Sequence, residues 1–247
     1  MKKIWIITLF PNYFDSLINF GITGAALRGE RGNRIEVNTV QLRNYAPKDY
    51  KGVDDSPYGG GAGMVIRADV LKDALLNGVV EPGEYGDGYR NKLHIVFPGP
   101  RGRTWTNSYC KEFANRFSED TSKDIVFICG RYEGVDERFL SLYVDEQISI
   151  GDYILTGGEI ATMAIIDSSL RFFAGVLGNK ESCTSESFEM NLLEYPQYTR
   201  PKIFDGISVP EVLLSGHHQN IQKYHKEESL RITKLYRPDL LAKKSIE

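Results

Sequence analysis

Cysteine is scarce in this chain: Cys110, Cys129 and Cys183 are three in number and widely spaced. No Cys-x-x-Cys occurs, so neither a disulfide framework nor a zinc ribbon is suggested, and reduced thiols in a cytosolic compartment are the expectation. Charge of one sign is not in excess either. The formal net charge is −3, so no global basic field points to a nucleic-acid partner, although a local basic face is compatible with that balance. Long apolar runs are missing. The opening Met1-Lys2-Lys3, followed by Ile4 to Phe10, is too short for a signal peptide, has no small-residue cleavage site and is cut off by Pro11. It reads as a buried first strand, and no other stretch is long enough to span a bilayer. Nucleotide fingerprints are absent as well. Gly59-Gly60-Gly61-Ala62-Gly63 lacks the Lys-[Ser/Thr] of a phosphate loop, and no Gly-x-Gly-x-x-Gly is present. Ser215-Gly216-His217 is no nucleophile elbow, so no hydrolase triad can be read.

What is present is an ordinary globular composition, 41% hydrophobic and 26% charged over 247 residues, enough for one large domain or two smaller ones. Its most informative feature is three glycine-punctuated loops, each after an apolar run. Leu93 to Phe97 leads into Pro98-Gly99-Pro100-Arg101-Gly102-Arg103. Ile125 to Cys129 leads into Gly130-Arg131-Tyr132-Glu133-Gly134. Gln147 to Ile150 leads into Gly151-Asp152-Tyr153-Ile154-Leu155-Thr156-Gly157-Gly158-Glu159. In an open α/β sheet, ligands bind beyond the carboxyl ends of the strands. Glycine there allows close backbone approach, so three such loops can wall one pocket.

Around these runs the pattern predicts strands at Lys3–Phe10 and Ile35–Leu42. Helices are predicted from Pro11, over Ala68–Leu76, Asn107–Phe117, Glu137–Tyr143 and Gly158–Phe173, with long loops at Arg43–Gly63 and Asn77–Asn91. Alternating strands and helices predict an α/β fold with a mostly parallel sheet. Residues 1–178 form the expected first domain and 179–191 a polar linker. Residues 192–247 are expected to be a small, mostly α-helical domain, with helices over Gly216–Tyr236 and Pro238–Lys244.

Taken singly, the candidate residues leave alternatives open. The Gly59–Gly63 stretch suits a flexible connector or a substrate-contacting loop. Arg101 and Arg103 suit solvent or a phosphate. Arg171 ends an apolar helix, where a cation complements the dipole. Glu186 and Glu194 suit solvated surface. His217 and His218 lack metal-ligand partners at suitable spacing, which favours a helix terminus or substrate contacts over a metal site.

Longer motifs narrow this. They are Leu9-Phe10-Pro11 with Phe14; Asp54-Asp55 with Pro57-Tyr58-Gly59-Gly60-Gly61; Cys129 to Gly134 with Asp136-Glu137-Arg138; and Ser149 to Glu159. They continue through Arg171-Phe172, Gly175-Val176-Leu177-Gly178, Tyr198-Thr199-Arg200-Pro201 and Leu214-Ser215-Gly216-His217-His218. In this order they resemble the bacterial tRNA (guanine-N1)-methyltransferase family TrmD, of the SPOUT class, over essentially the full length. The resemblance implies a trefoil knot in the first domain, an obligate homodimer with sites at the subunit interface, and a cytoplasmic enzyme. It also implies S-adenosylmethionine as methyl donor, and N1 of the guanosine just 3′ of the anticodon in tRNA as acceptor. A Mg²⁺ requirement is implied too, at a site nothing in the sequence locates.

Carried over residue by residue, the cofactor contacts are Phe97, Gly99, Pro100, Gly102, Gly130, Tyr132, Glu133, Ser149, Ile150, Gly151, Tyr153, Leu155, Gly157 and Gly158. Phe97 stands where some relatives have tyrosine. The donor to guanine O6 maps to Arg171. The base maps to Glu186, where the family has Asp, with Glu133 and Glu194 as alternatives. RNA contacts map to Gly59, Arg131, Ser182, Arg200, His217 and His218. A ribose 2′-hydroxyl methyltransferase of the same class would share the cofactor loops but not the Tyr-Thr-Arg-Pro and Ser-Gly-His-His segments. An RNA-binding module that binds cofactor without methylating is the rival of another class.

Overall fold

A computed structural model describes residues 2–32, 35–48, 52–117, 122–173, 175–176 and 186–242. The chain divides into two compact units, Met1–Gly178 and Asn179–Glu247. The first unit is built on five strands: β1 (Lys2–Thr8), β2 (Ile35–Gln41), β5 (Leu93–Thr104), β6 (Asp124–Ile128) and β7 (Glu146–Ser149). They lie in the order β2-β1-β6-β5-β7, every neighbouring pair parallel. A separate two-stranded ribbon pairs β3 (Asp54–Asp55) with β4 (Val65–Ile66).

The central strands are apolar at nearly every position because both faces are covered. Along β1, Ile4 and Ile6 join one core, while Trp5 and Ile7 join the other. In β6, Ile125 and Phe127 face the first, and Val126 and Ile128 the second. Over one face lie α3 (Ala68–Leu75) and α6 (Glu137–Tyr143). Over the other lie α2 (Gly21–Leu27), α5 (Asn107–Phe117) and α7 (Gly158–Leu170), preceded in the chain by the short α1 (Asp15–Asn19).

Two departures from the expected elements have clear causes. The strand expected to stop at Phe97 runs on to Thr104. Pro98 and Arg103 both register with Ile148 of β7, so residues 99–102 are an excursion from a strand that then rejoins its neighbour. Two prolines without N–H groups make the excursion look like a strand end. The loop expected from Asn77 begins instead as a π-turn, Leu76–Val80, continuing α3, and ends in the short α4 (Tyr89–Lys92). Gly78, normally a helix breaker, is buried there against Tyr45 and Val40, where a Cβ would collide with both side chains.

In the second unit, residues expected to be linker already form a turn at Glu189–Asn191. Ser187 Oγ accepts from the Glu194 N–H at 3.0 Å. A hairpin follows, β8 (Ile203–Phe204) with β9 (Ile207–Ser208), and then α8 (Glu211–Leu214), the 19-residue α9 (His218–Tyr236) and α10 (Pro238–Ala242). Tyr195 stacks on His225 of α9, with ring centroids 3.5 Å apart.

Candidate active site

Because β6, β5 and β7 are adjacent and parallel, their carboxyl ends open on one edge, and the three loops converge there around a cavity of about 360 Å³. Of the residues expected to meet cofactor, all but Gly102 line it. Gly102 instead lies flat against β7. A Cβ there would fall inside the Ile148 and Gln147 backbone, so the glycine is what lets the excursion return to the sheet. Pro98, Gly134, Ile148, Ile154, Thr156 and Ala161 also line the cavity. They sit in or beside the same loops, so the strand-then-glycine signal covered them without singling them out.

Glycine at several of these positions is imposed by close packing. At Gly158 a Cβ would sit 3.0 Å from both Cys129 Cα and the Gly130 nitrogen, and at Gly99 2.6 Å from the Phe97 ring. The second and third loops are joined through their backbones: the Gly158 N–H donates to the Gly130 carbonyl at 2.8 Å, and Arg131 bridges Gly157. The second loop is tied on its other side to β4. The Glu133 N–H donates to Met64 O, and the Ile66 N–H to Gly134 O, both at 3.0 Å. Tyr132, at the apex, takes a left-handed φ of 58°.

Arg131, also a lining residue, takes part in an ion pair that the sequence did not announce. Arg131 Nε donates to Glu159 Oε2 at 3.0 Å, with side chains only 14% and 1% exposed. Glu159 Oε1 accepts from Thr8 Oγ1 at 2.8 Å, and a second Arg131 nitrogen reaches the Thr156 carbonyl at 3.2 Å. The guanidinium lies 4.6 Å from the Phe10 ring centroid and 5.5 Å from that of Tyr13. A Cβ at Gly157 would overlap the Arg131 side chain, so that glycine makes room for the pair. Arg131, expected among the RNA contacts, thus ties the three segments 8–13, 130–134 and 156–159 together.

The remaining expected residues lie elsewhere. Arg101 pairs with Glu137 at 2.7 Å and Arg103 with Glu112 at 2.9 Å, the latter stacked over Tyr109. Arg171 is the exposed C-cap of α7. Gly59 is exposed in a loop where Gly59, Gly60, Gly61 and Gly63 all have left-handed φ. In the second unit, Arg200 is exposed, Glu186 and Glu194 are half-buried, and His217 and His218 open α9. Ser182 lies outside the described residues. Among the described residues no group of three or more His, Cys, Asp or Glu side chains is arranged to hold a metal ion, and no helix is long and apolar enough to cross a membrane.

The family described as tRNA (Guanine-1)-methyltransferase TrmD matches residues 1–243. The chain belongs to this family. By that membership it is a methyltransferase. Among its relatives, the tRNA (guanine-N(1)-)-methyltransferase of Clostridium botulinum (strain Loch Maree / Type A3) is 46% identical over 241 residues, covering 98% of this chain and 92% of the relative. That of Clostridium beijerinckii is 45% identical over 245 residues, and that of Clostridium tetani 46% over 241, each with the same coverage.

Proposed function

We propose that this protein, as a homodimer, transfers the methyl group of S-adenosylmethionine to N1 of the guanosine immediately 3′ of the anticodon in tRNA. The observation that carries the proposal is the glycine-walled cavity at the ends of β6, β5 and β7, in a chain of this family. Its size suits a small-molecule site. Its lining suits the donor: Phe97, Pro98, Ile148 and Leu155 offer apolar walls for a base. The 130–134 and 149–158 loops offer backbone N–H and C=O groups, and the Glu133 carboxylate offers a partner for a cationic end. Bound there, S-adenosylmethionine would supply an electrophilic sulfonium methyl group.

The acceptor sets the other requirements. Guanine N1 holds a proton at neutral pH and becomes nucleophilic as a base removes it. In this proposal Glu186 is that base, one methylene longer than the aspartate of relatives, with Glu133 and Glu194 as alternatives. Arg171 faces O6, where negative charge develops. Arg171 follows the 13 residues of α7, whose first residue, Gly158, lines the cavity. At ~1.5 Å per residue the two ends are about 20 Å apart. The arginine that serves a given cavity therefore comes from the second copy of the chain. Exposed Phe10, Tyr13, Phe20, Ile22 and Ile160, on elements that pack around α2 and α7, support such a partner.

RNA contact is assigned to Gly59, Arg131, Ser182, Arg200, His217 and His218. The N-terminal end of a long helix, where both histidines sit, favours phosphate. Lys223, Lys226, Arg231 and Lys234 add basic groups along α9, so binding is expected to weaken with salt. The target base must leave its stack to reach an enclosed methyl group. The knot of SPOUT enzymes, a Mg²⁺ requirement, a cytoplasmic location and a tRNA-binding role for residues 192–247 beyond a 179–191 linker belong to the same proposal. The strand order, with β6 inserted between β1 and β5, is the feature that favours the knot. The test is methyl transfer to two tRNA transcripts, carrying G or A just 3′ of the anticodon, by wild type and Glu186→Gln. Activity on G alone, lost in the variant, supports the proposal. Activity that survives the substitution moves the base elsewhere, and transfer to neither RNA overturns the assignment of the acceptor position.

A further inference from the structure

The glycine-rich loop and the cofactor cavity meet at a single side chain. Gly63 has φ +89°, and a Cβ built on it would fall on Cγ and Oε1 of Glu133, with Cδ 2.8 Å away. The arm of Glu133 therefore lies flat across Gly63. The backbones on either side hold this contact in place through the Glu133–Met64 and Ile66–Gly134 hydrogen bonds. Gly59, Gly60 and Gly61 are also left-handed, yet a Cβ at any of them would meet nothing within 4 Å. The first three glycines thus serve backbone conformation, whereas the fourth also clears space for the side chain of Glu133, a residue of the cavity wall.

We propose that Gly63 is a positioning residue: its bare α-carbon is the seat that aims the Glu133 carboxylate into the cofactor cavity, so that the glycine-rich loop forms the outer support of that site. The proposal rests on the assignment of the cavity to S-adenosylmethionine. The three atoms nearest to a methyl group at position 63 all belong to the flexible Glu133 arm, so the worst of the collision is relieved by rotating the carboxylate away rather than by moving backbone. The fold survives and the charge is misplaced. Losing a charge-assisted hydrogen bond at such a site corresponds to about a tenfold weaker cofactor dissociation constant.

The experiment compares Gly63→Ala with Gly60→Ala, which carries the same left-handed backbone penalty into open space, each alone, and Gly63→Ala again in a Glu133→Ala background. Calorimetric binding of S-adenosylmethionine without RNA is read beside the thermal midpoint. The expected result is an approximately tenfold loss of affinity in Gly63→Ala, a change within about twofold in Gly60→Ala, and no further loss when Gly63→Ala is added to Glu133→Ala. Equal losses in Gly60→Ala and Gly63→Ala overturn the proposal in favour of backbone strain. A full Gly63→Ala effect without the Glu133 carboxylate overturns it in favour of another partner. In both cases the cofactor assignment stands. A wild-type protein that binds no S-adenosylmethionine removes that assignment, and this proposal with it.

Discussion

Removing the guanidinium of Arg131 should be among the most damaging single changes to the folded protein. Glu159 is 1% exposed and has two partners, Arg131 at 3.0 Å and the Thr8 hydroxyl at 2.8 Å. Arg131→Ala leaves the carboxylate with the hydroxyl alone, and breaking one side of a buried pair costs about 3–5 kcal/mol. In a chain of this size each kcal/mol moves the midpoint by roughly 2–4 °C, so a drop of roughly 6–20 °C is expected in scanning calorimetry. Arg138→Ala is the control, because Arg138 pairs with Asp136 at 2.7 Å but is 70% exposed, where ion pairs contribute little. The double substitution Arg131→Leu with Glu159→Leu should recover part of the loss, since no buried charge is then stranded. A midpoint shift in Arg131→Ala no larger than in Arg138→Ala would refute this account of the pair.

Three further outcomes are expected. Burial opposes the charge of Glu146, but hydrogen bonds from His94, Tyr109 and Arg116 outweigh it and hold the carboxyl down at about 2. A lowered folded value stabilises above the unfolded one, so this contribution is complete above about pH 4.5 and lost as pH falls towards 2, a change Glu146→Gln should flatten in acid titrations of the midpoint. Burial pushes the thiols of Cys110 and Cys129 up, so neither should be alkylated at pH 8 until the protein is denatured, as peptide mass mapping would show. Finally, co-expressed Arg171→Ala and a cavity-blocking variant such as Leu155→Trp should regain methyl transfer that neither has alone. No recovery in a purified mixed dimer would mean that Arg171 does not act across copies.

Which parts of the site could be read in advance follows from range. The three loops were legible because each signal is local: an apolar run that stops at glycine. The sheet's parallel character was legible because strand and helix patterns alternate along the chain. Pairings between distant segments were not. The return of β5 to β7 at Arg103 depends on Ile148, and the helical continuation through Gly78 depends on Tyr45 and Val40. Glu159 resembled any acidic residue in the first turn of a helix, and its tie to Arg131, 28 positions earlier, exists only in the folded chain. The same holds for Gly63, whose neighbour Glu133 is 70 residues away in sequence. Arg101 and Arg103 suited either solvent or a phosphate in the sequence, and their pairing with acidic residues on α6 and α5 is seen only in the folded chain.

The most direct measurement is the identity and position of the product. A tRNA transcript with G just 3′ of the anticodon is incubated with the protein and methyl-labelled S-adenosylmethionine, then digested, and its nucleosides and fragments are separated. The account predicts label in 1-methylguanosine alone, from the fragment holding that guanosine. Label in a 2′-O-methyl nucleoside, or in guanosine at another position, would contradict it.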